Sequence, residues 1–516
     1  MSLENVLTWD QPFGPNATEK IAQDLFEEIL DDTNSAYIAL KTRPFLIVGR
    51  RGAGKTSMLS AIKLSGKFDT VVDVPPSQAF QKLVKIIDES KSETIIEETV
   101  AEAWEKIIWN FVFLRIYADF KSKRPKDTAI IGNYLTKVGL KPNSLPGQLM
   151  SFLLKLVKKD SEAASDAVAL LNEILDANSE YDQVLELVKG ILKESRTRCV
   201  VLIDNIEKID LSKISMRLSV AGLLMAVDTF KNASIPIDVR CSIPAEIFPR
   251  LADLAANSDK SLDSKLVLHW SSNELLHMAA IRYREFLRNY GTPDVQKRIK
   301  DAKLDEPEGL DAFMHQFFPR RLKNGRDYEE FTLRYIIRHT QLLPRQFITY
   351  LNEIARKSFE ARRGDSFEFS EQSVIRGVRA QEGLVCQGIF SGYRTVFPYA
   401  KRVCQILLPQ LSLTFSFGEL EVQFRQQRGK LVDDENNPLF PSVNACLEML
   451  TEIGAVGVKV DEDDEYIHAE FSYNLPLNLA YRIDDTFCLH PAFSGTYRSD
   501  INSSKYKPIF PQLGSD

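Results

Sequence analysis

The 516 residues carry 65 Lys and Arg against 71 Asp and Glu, a formal net charge of -6. Nothing at whole-chain level therefore advertises nucleic acid or an anionic membrane as a partner. With 44% hydrophobic and 26% charged residues, the composition excludes a disordered chain, and the length exceeds what one core fills, predicting two to four domains.

The N-terminal MSLENVLTWDQP lacks the basic-then-apolar character of a signal peptide. The most apolar stretch, IIWNFVFLRIYADF, is cut by Arg115 and is too short to span a bilayer. Cys199, Cys241, Cys386, Cys404, Cys446 and Cys488 lie far apart, with no C-x-x-C pair. That spacing fits reduced thiols rather than disulfides or a zinc site, so a cytoplasmic setting is expected.

The first informative element is FLIVGRRGAGKTS. Phe45, Leu46, Ile47 and Val48 predict a buried parallel strand, and the residues from Lys55 onward predict a helix. Between them stands Gly49-x-x-x-x-Gly54-Lys55-Thr56, the strand–loop–helix context that a phosphate-binding loop requires. Glycines let backbone N–H groups converge on phosphate oxygens, and the helix N-terminus adds partial positive charge. Gly49, Arg51, Gly52, Ala53, Gly54, Lys55, Thr56 and Ser57 are the expected ATP-binding residues. Lys55 would reach the β- and γ-phosphates and the Thr56 hydroxyl would ligate Mg²⁺.

Such a site needs a second acid at the end of another buried strand. CVVLIDNIEKID supplies Asp204 after the apolar run 199–203. Asp204 would hold the Mg²⁺ through water, and Glu207 is placed to polarise the attacking water. Asn205 occupies the position where many ATPases carry that glutamate, and as a neutral amide it cannot accept a proton. DTVVDV (69–74), 235–243 and 265–270 complete a set of five strands, predicting a doubly wound parallel sheet.

Between the second strand and the Asp204 strand the chain has helical periodicity. Phe80, Leu83, Val84 and Ile87 share one face, as do Trp104, Ile107, Phe111 and Leu114, so residues 77–195 read as a helical insertion. SSNELLHMAAIRYREFLRNYG starts on a capping Ser and ends in Gly, and 331–358 is amphipathic with a break at Pro344.

In 385–516, FGELEVQFRQQRG predicts a helix. A second, capped by Ser442, places Val443, Leu447, Leu450 and Ile453 on one face. Gly454, a strand 455–460, the acidic turn DEDDE and a strand 466–473 follow, which together read as a winged helix. This region holds eleven Lys and Arg against seventeen Asp and Glu, and its second helix has neither Lys nor Arg. Phosphate repulsion is expected to keep DNA off this tail. The six histidines show no metal-ligand spacing.

These motifs together resemble the AAA+ and STAND-type P-loop ATPases, including the origin-recognition-like branch. VVLIDNIEK is similar to the STAND and KAP-type Walker B, in which the second acid trails the first. PFGPNATEK resembles the segment that contacts adenine in origin-recognition-like members. In YIIRHTQLLPRQFITYLNEIA, Arg345 resembles a sensor-2 arginine of a helical lid. Ser242, or neighbouring Arg240, is similar in position to a sensor-1 residue. The chain departs from the pattern in lacking an evident arginine-finger motif and the usual AAA+ Asp-Glu pair.

The resemblance, which covers about residues 8–380, implies an α/β P-loop NTPase. Its core would span 1–275, its helical lid 276–384 and its winged helix 385–516. It implies an ATP- and Mg²⁺-dependent hydrolase with Lys55, Asp204, Glu207 and Arg345 as catalytic residues. Because no nuclease, TIR or protease effector is recognisable, such an ATPase would act through a homo-oligomer or a separate effector protein. Bacterial proteins resembling this chain are often regulatory ATPases of antiphage defence. A DNA-handling initiator or loader is the alternative, with DNA contacted elsewhere than the acidic tail. A scaffold that binds ATP without turning it over is a third reading.

Overall fold

The computed structural model describes residues 6–17, 29–30, 34–40, 45–74, 83–84, 87–88, 97–137, 179–204, 210–211, 213–231, 237–252, 264–359, 366–473, 479–497 and 506–511. The chain divides into two compact units. One comprises Ala36–Gly49 and Lys55–Val267; the other comprises Met1–Ser35, Arg50–Gly54 and Leu268–Asp516.

The first unit is an α/β layer structure around a parallel sheet. Its strands are β1 (Leu46–Gly49), β2 (Thr70–Val74), β3 (Cys199–Ile203), β4 (Ile237–Pro244) and β5 (Lys265–Val267), in the order β2-β3-β4-β1-β5. All four pairings are parallel. β1 and β3 are buried along their whole length, as expected of strands covered on both faces. The expected strand at 265–270 ends at Val267.

The helix Glu97–Phe120 buries residues nearly all round its circumference, among them Trp104, Ile107, Ile108, Phe111, Val112 and Phe113. Such a helix must lie between layers, and it packs on β2 and on the helix Ile214–Lys231. Gly222 permits that approach: a Cβ there would stand 2.7 Å from Val100 Cγ1 and 2.9 Å from the Ala101 amide. Trp104 Nε1 donates to the Ser219 carbonyl at 3.0 Å, pinning the pair. Helices Pro125–Lys137 and Ser179–Glu194 extend the layer. Phe80 of the expected apolar face lies outside the described residues, whereas Leu83, Val84 and Ile87 are buried.

In the second unit, the helix Ser272–Tyr290 begins with a capping box. Ser271 Oγ accepts from the Glu274 amide at 3.1 Å, and Glu274 Oε2 accepts from the Ser271 amide at 2.8 Å. This satisfies two of the orphan donors of the first turn. The amphipathic stretch breaks as expected at Pro344, giving helices Thr332–Arg338 and Pro344–Phe359. A short hairpin, β6 (Arg321–Lys323) with β7 (Glu329–Phe331), precedes them. The helix Glu371–Gly392 packs on Pro344–Phe359. The N-terminal Trp9 inserts among Phe286, Tyr290, Phe359 and Phe367 at centroid distances of 5.3 to 5.7 Å, which ties residues 6–17 into this core.

The tail contains helices Phe417–Gln426 and Val443–Glu452, the latter capped by Ser442. The two strands expected of a wing, β9 (Val456–Glu462) and β10 (Ile467–Glu470), pair antiparallel, but within a larger sheet. With β8 (Thr414–Ser416), β11 (Thr486–Leu489) and β12 (Ile509–Pro511) the order is β12-β10-β9-β11-β8. Phe487, Cys488 and Leu489 are fully buried, and that apolar run recruits β11 beside β9. The acidic turn is not a free tip. Glu462 pairs with Lys459 at 2.6 Å and Lys507 at 2.8 Å, Asp463 meets His468 at 2.7 Å, and Glu465 pairs with Arg321 of β6. Hydrogen bonds from Lys459 and Lys507 hold the Glu462 carboxyl down at about 2.

All six cysteines are free and buried, and burial pushes the thiols of Cys199, Cys386, Cys446 and Cys488 up to about 12. Among the described residues, no helix is long and apolar enough to cross a membrane.

Candidate functional site

The glycine loop joins β1 to the helix Lys55–Leu64. Gly52 and Gly54 adopt φ of +94° and +96°, left-handed conformations that a Cβ would strain. The turn is closed by the Ala53 amide donating to the Arg50 carbonyl at 3.0 Å. Lys55 Nζ donates to the Gly49 carbonyl at 2.7 Å, so the ammonium turns back to the residue that opens the motif.

Asp204 follows β3, and strand register places its partners. Ile203 pairs with Cys241 and Ile47 with Ser242, which aligns the residues after β3 with Ser242 and with the end of β1. Ser242 Oγ donates to Asp204 Oδ1 at 2.5 Å, and Thr56 Oγ1 donates to Oδ2 at 2.8 Å. Each carboxylate oxygen thus has one hydroxyl donor, and Ser242 itself is 1% exposed.

Arg240, two residues earlier in β4, has a different setting. Its guanidinium lies 5.6 Å from the Phe45 ring centroid and donates to the Val239 carbonyl at 3.0 Å. Ser57 lies in the first turn of the helix Lys55–Leu64. Glu207 and Asn205 lie outside the described residues.

The loop residues Arg50–Gly54 belong to the unit that holds Leu268–Asp516, and their contacts there are specific. Trp270, 6% exposed, donates Nε1 to the Ala53 carbonyl at 2.9 Å. Arg345 lies across Gly52: a Cβ at Gly52 would stand 2.9 Å from the Arg345 Cβ. The Arg345 Nε donates to the Asn16 carbonyl at 3.2 Å.

The segment PFGPN is latched to the same helix. Asn352 accepts from the Phe13 amide at 3.1 Å and donates to the Gly14 carbonyl at 2.8 Å. Phe13 is fully buried and stacks on Tyr283 at 4.8 Å, so its ring is core. Arg51 points elsewhere and donates to Ser391 Oγ at 2.9 Å.

On the reading of the glycine loop as an ATP site, Arg345→Ala is expected to leave ATP affinity within about tenfold, the loss of one charge-assisted contact of ~1.5 kcal/mol, while lowering turnover more sharply. Equilibrium binding and steady-state turnover on the same preparation check this. Unchanged turnover would leave Arg345 as a structural clamp between Gly52 and Asn16.

Sequence reasoning missed Arg50. It occupies a variable position of the motif, yet its guanidinium makes three hydrogen bonds to distant residues. Nη1 donates to Gln341 Oε1 at 2.9 Å, and Nη2 donates to Tyr393 Oη at 2.6 Å and to the Glu452 carbonyl at 2.8 Å. The guanidinium also lies 5.4 Å from the Tyr393 ring centroid and 5.6 Å from that of Tyr473. Gln341 in turn donates to the Ile453 carbonyl at 2.8 Å. The end of the helix Val443–Glu452 is thereby tied to the second residue of the loop motif. Trp270 and Gln341 were missed likewise, because a tryptophan or glutamine outside any motif carries no local signal.

No protein-family model matches the chain, and a search of curated proteins finds no match either.

Proposed function

We propose that this chain binds ATP with Mg²⁺ and hydrolyses it as a switch, transmitting nucleotide state to a partner or to other copies of itself. One observation carries the reading. Two glycines at positive φ shape the loop, Lys55 reaches back to Gly49, and Thr56 and Ser242 converge on Asp204. A carboxylate beside two hydroxyls is a set of hard oxygens suited to Mg²⁺, which is commonly held by one or two carboxylates together with substrate phosphates. Bound there by Thr56 and Asp204, the cation would offset charge on the β- and γ-phosphate oxygens. Lys55 binds the same phosphates, Ser242 orients the Asp204 carboxylate, and Glu207 is the proposed group that orients the attacking water.

The architecture supports a P-loop NTPase core in the first unit, with a helical lid and a winged-helix-like tail in the second. The route of transmission starts at Arg50. A loop that tightens on phosphate would move or stress the Arg50 guanidinium, which holds the Glu452 carbonyl at the end of Val443–Glu452 directly and the Ile453 carbonyl through Gln341. Arg50→Ala is expected to leave ATP affinity within about tenfold, since the phosphates are held by backbone and Lys55. It should abolish any ATP-induced change in hydrogen exchange over residues 443–454. A full ATP-dependent response in that variant would exclude this route.

The proposal is tested by ATP turnover together with the mass of the particle with and without ATP. Absence of ATP binding, or binding with neither turnover nor any change in assembly or partner capture, would overturn it. The initiator or loader reading has less support: the acids of the β9–β10 turn are engaged by Lys459, Lys507, His468 and Arg321, and the tail is net acidic. Salt-dependent DNA binding below micromolar would revive it. A role in antiphage defence rests on the family resemblance.

A further inference from the structure

A cavity of about 450 Å³ opens in the unit that contains the tail. Its charged lining is unusual: Arg326, Arg338, Arg379, His339 and a single acid, Glu382. Arg338 is neutralised where it stands, because Glu330 grips it twice at 2.8 Å. Arg326 lies over the Tyr506 ring at 4.7 Å. Arg379 is exposed and has no hydrogen-bond or ion-pair partner among the described residues.

Arg379 and Glu382 are three residues apart on the helix Glu371–Gly392 and so share a face. Both heads enter the cavity wall over glycines. A Cβ at Gly325 would stand 1.5 Å from Arg379 Nη2, and a Cβ at Gly495 would stand 2.4 Å from Glu382 Oε1. Any other residue at either place would displace the Arg379 or Glu382 head from the lining.

The acid does not cancel the cations. Glu382 is 7% exposed and faces His339 Nε2 at 3.4 Å, while His339 Nδ1 lies 2.6 Å from the Tyr335 carbonyl. Burial raises the Glu382 carboxyl to about 8 and pushes His339 well below the usual histidine range. The raised carboxyl favours the protonated acid and the lowered imidazole favours its neutral form, with Nδ1 facing the Tyr335 carbonyl. The cavity presents the Arg379 guanidinium, which Glu330 does not neutralise, beside the ring of Tyr506.

We propose that this cavity is a second ligand site, distinct from the glycine loop, for a small molecule bearing a phosphate and a flat ring. Guanidinium forks match the geometry of phosphate oxygens. The volume exceeds what a bare phosphate fills and lies within the range of small-molecule sites. Tyr506, half-buried in the cavity wall and covered by Arg326 on one side, offers the flat remainder a ring to pack against.

The test uses the full chain, with AMP, inorganic phosphate and adenosine as calorimetric probes; AMP lacks the β- and γ-phosphates that Lys55 would hold, and the Arg379 and Gly325 variants report which site it occupies. AMP should bind, phosphate should bind more weakly and compete with AMP, and adenosine should not bind. Arg379→Gln should weaken AMP by about tenfold or more, the loss of a charge-assisted fork. Gly325→Ala should do the same by pushing the Arg379 head away. Arg425→Gln, at an exposed arginine paired with Glu421 on the helix Phe417–Gln426, should leave AMP binding unchanged. Arg379 is exposed, so Arg379→Gln should fold as the parent does. AMP binding that is undetectable at ~10 mM, or that is indifferent to both Arg379→Gln and Gly325→Ala, would overturn the assignment.

Discussion

Lys55→Ala should weaken ATP binding by more than about a hundredfold while the protein remains folded. Lys55 is half-buried at the first position of its helix, and its ammonium donates to the Gly49 carbonyl. In the ATP complex it would exchange that neutral acceptor for phosphate oxygens. Hydrogen bonds to charged groups contribute roughly 1.5–3 kcal/mol each, and contacts to two phosphates together exceed the ~2.7 kcal/mol that a hundredfold change represents. The folded state loses little, because the Gly49 carbonyl keeps the Ala245 amide at 3.1 Å. Calorimetric titration with ATP, paired with a thermal scan of the same protein, separates the two effects. Parental ATP affinity in a folded Lys55→Ala protein would sink the phosphate-loop reading.

Asp204→Asn should lower turnover by about a thousandfold, which is ~4 kcal/mol of barrier, a loss of the size expected when the charge that holds a catalytic metal is removed. The substitution is nearly isosteric. The side-chain carbonyl of the introduced amide could still accept from one hydroxyl, and the other hydroxyl can rotate to accept from its NH₂ group. The strand end therefore keeps its packing, while the negative charge is gone. The diagnostic measurement is ATP affinity with Mg²⁺ and with a chelator. The parent should bind more tightly with Mg²⁺, and Asp204→Asn should lose most of that difference. Turnover at the parental rate would assign Asp204 to a structural role between Thr56 and Ser242.

Local patterns made much of the first unit legible. The apolar runs 45–48 and 199–203 coincide with strands buried along their length, since a strand covered on both faces must be apolar at successive positions. The capping Ser of SSNELL announced a helix start because a cap is completed within a few residues, here by Ser271 with Glu274. Gly52 and Gly54 announced a loop because positive φ is local as well. The pairing of Asp204 with Thr56 also follows from sequence once the sheet is parallel, as both follow buried strands at one edge.

What the sequence did not determine depends on contacts between distant residues. Arg50 reaches Gln341, Tyr393 and Glu452 across separations of 291, 343 and 402 residues, and no local period encodes such a pairing. The turn DEDDE reads as five repelling acids, but tertiary structure brings Arg321 and Lys507 to them. The strands Thr486–Leu489, Thr414–Ser416 and Ile509–Pro511 widened an expected two-stranded wing into a five-stranded sheet, because a strand finds its neighbour only when the chain has folded back. Gly325 and Gly495 carry no local signal until Arg379 and Glu382 are placed against them. Periodicity, caps and φ preferences belong to the chain itself. The direction in which an arginine points is settled by whichever carbonyl or ring the fold sets within its reach.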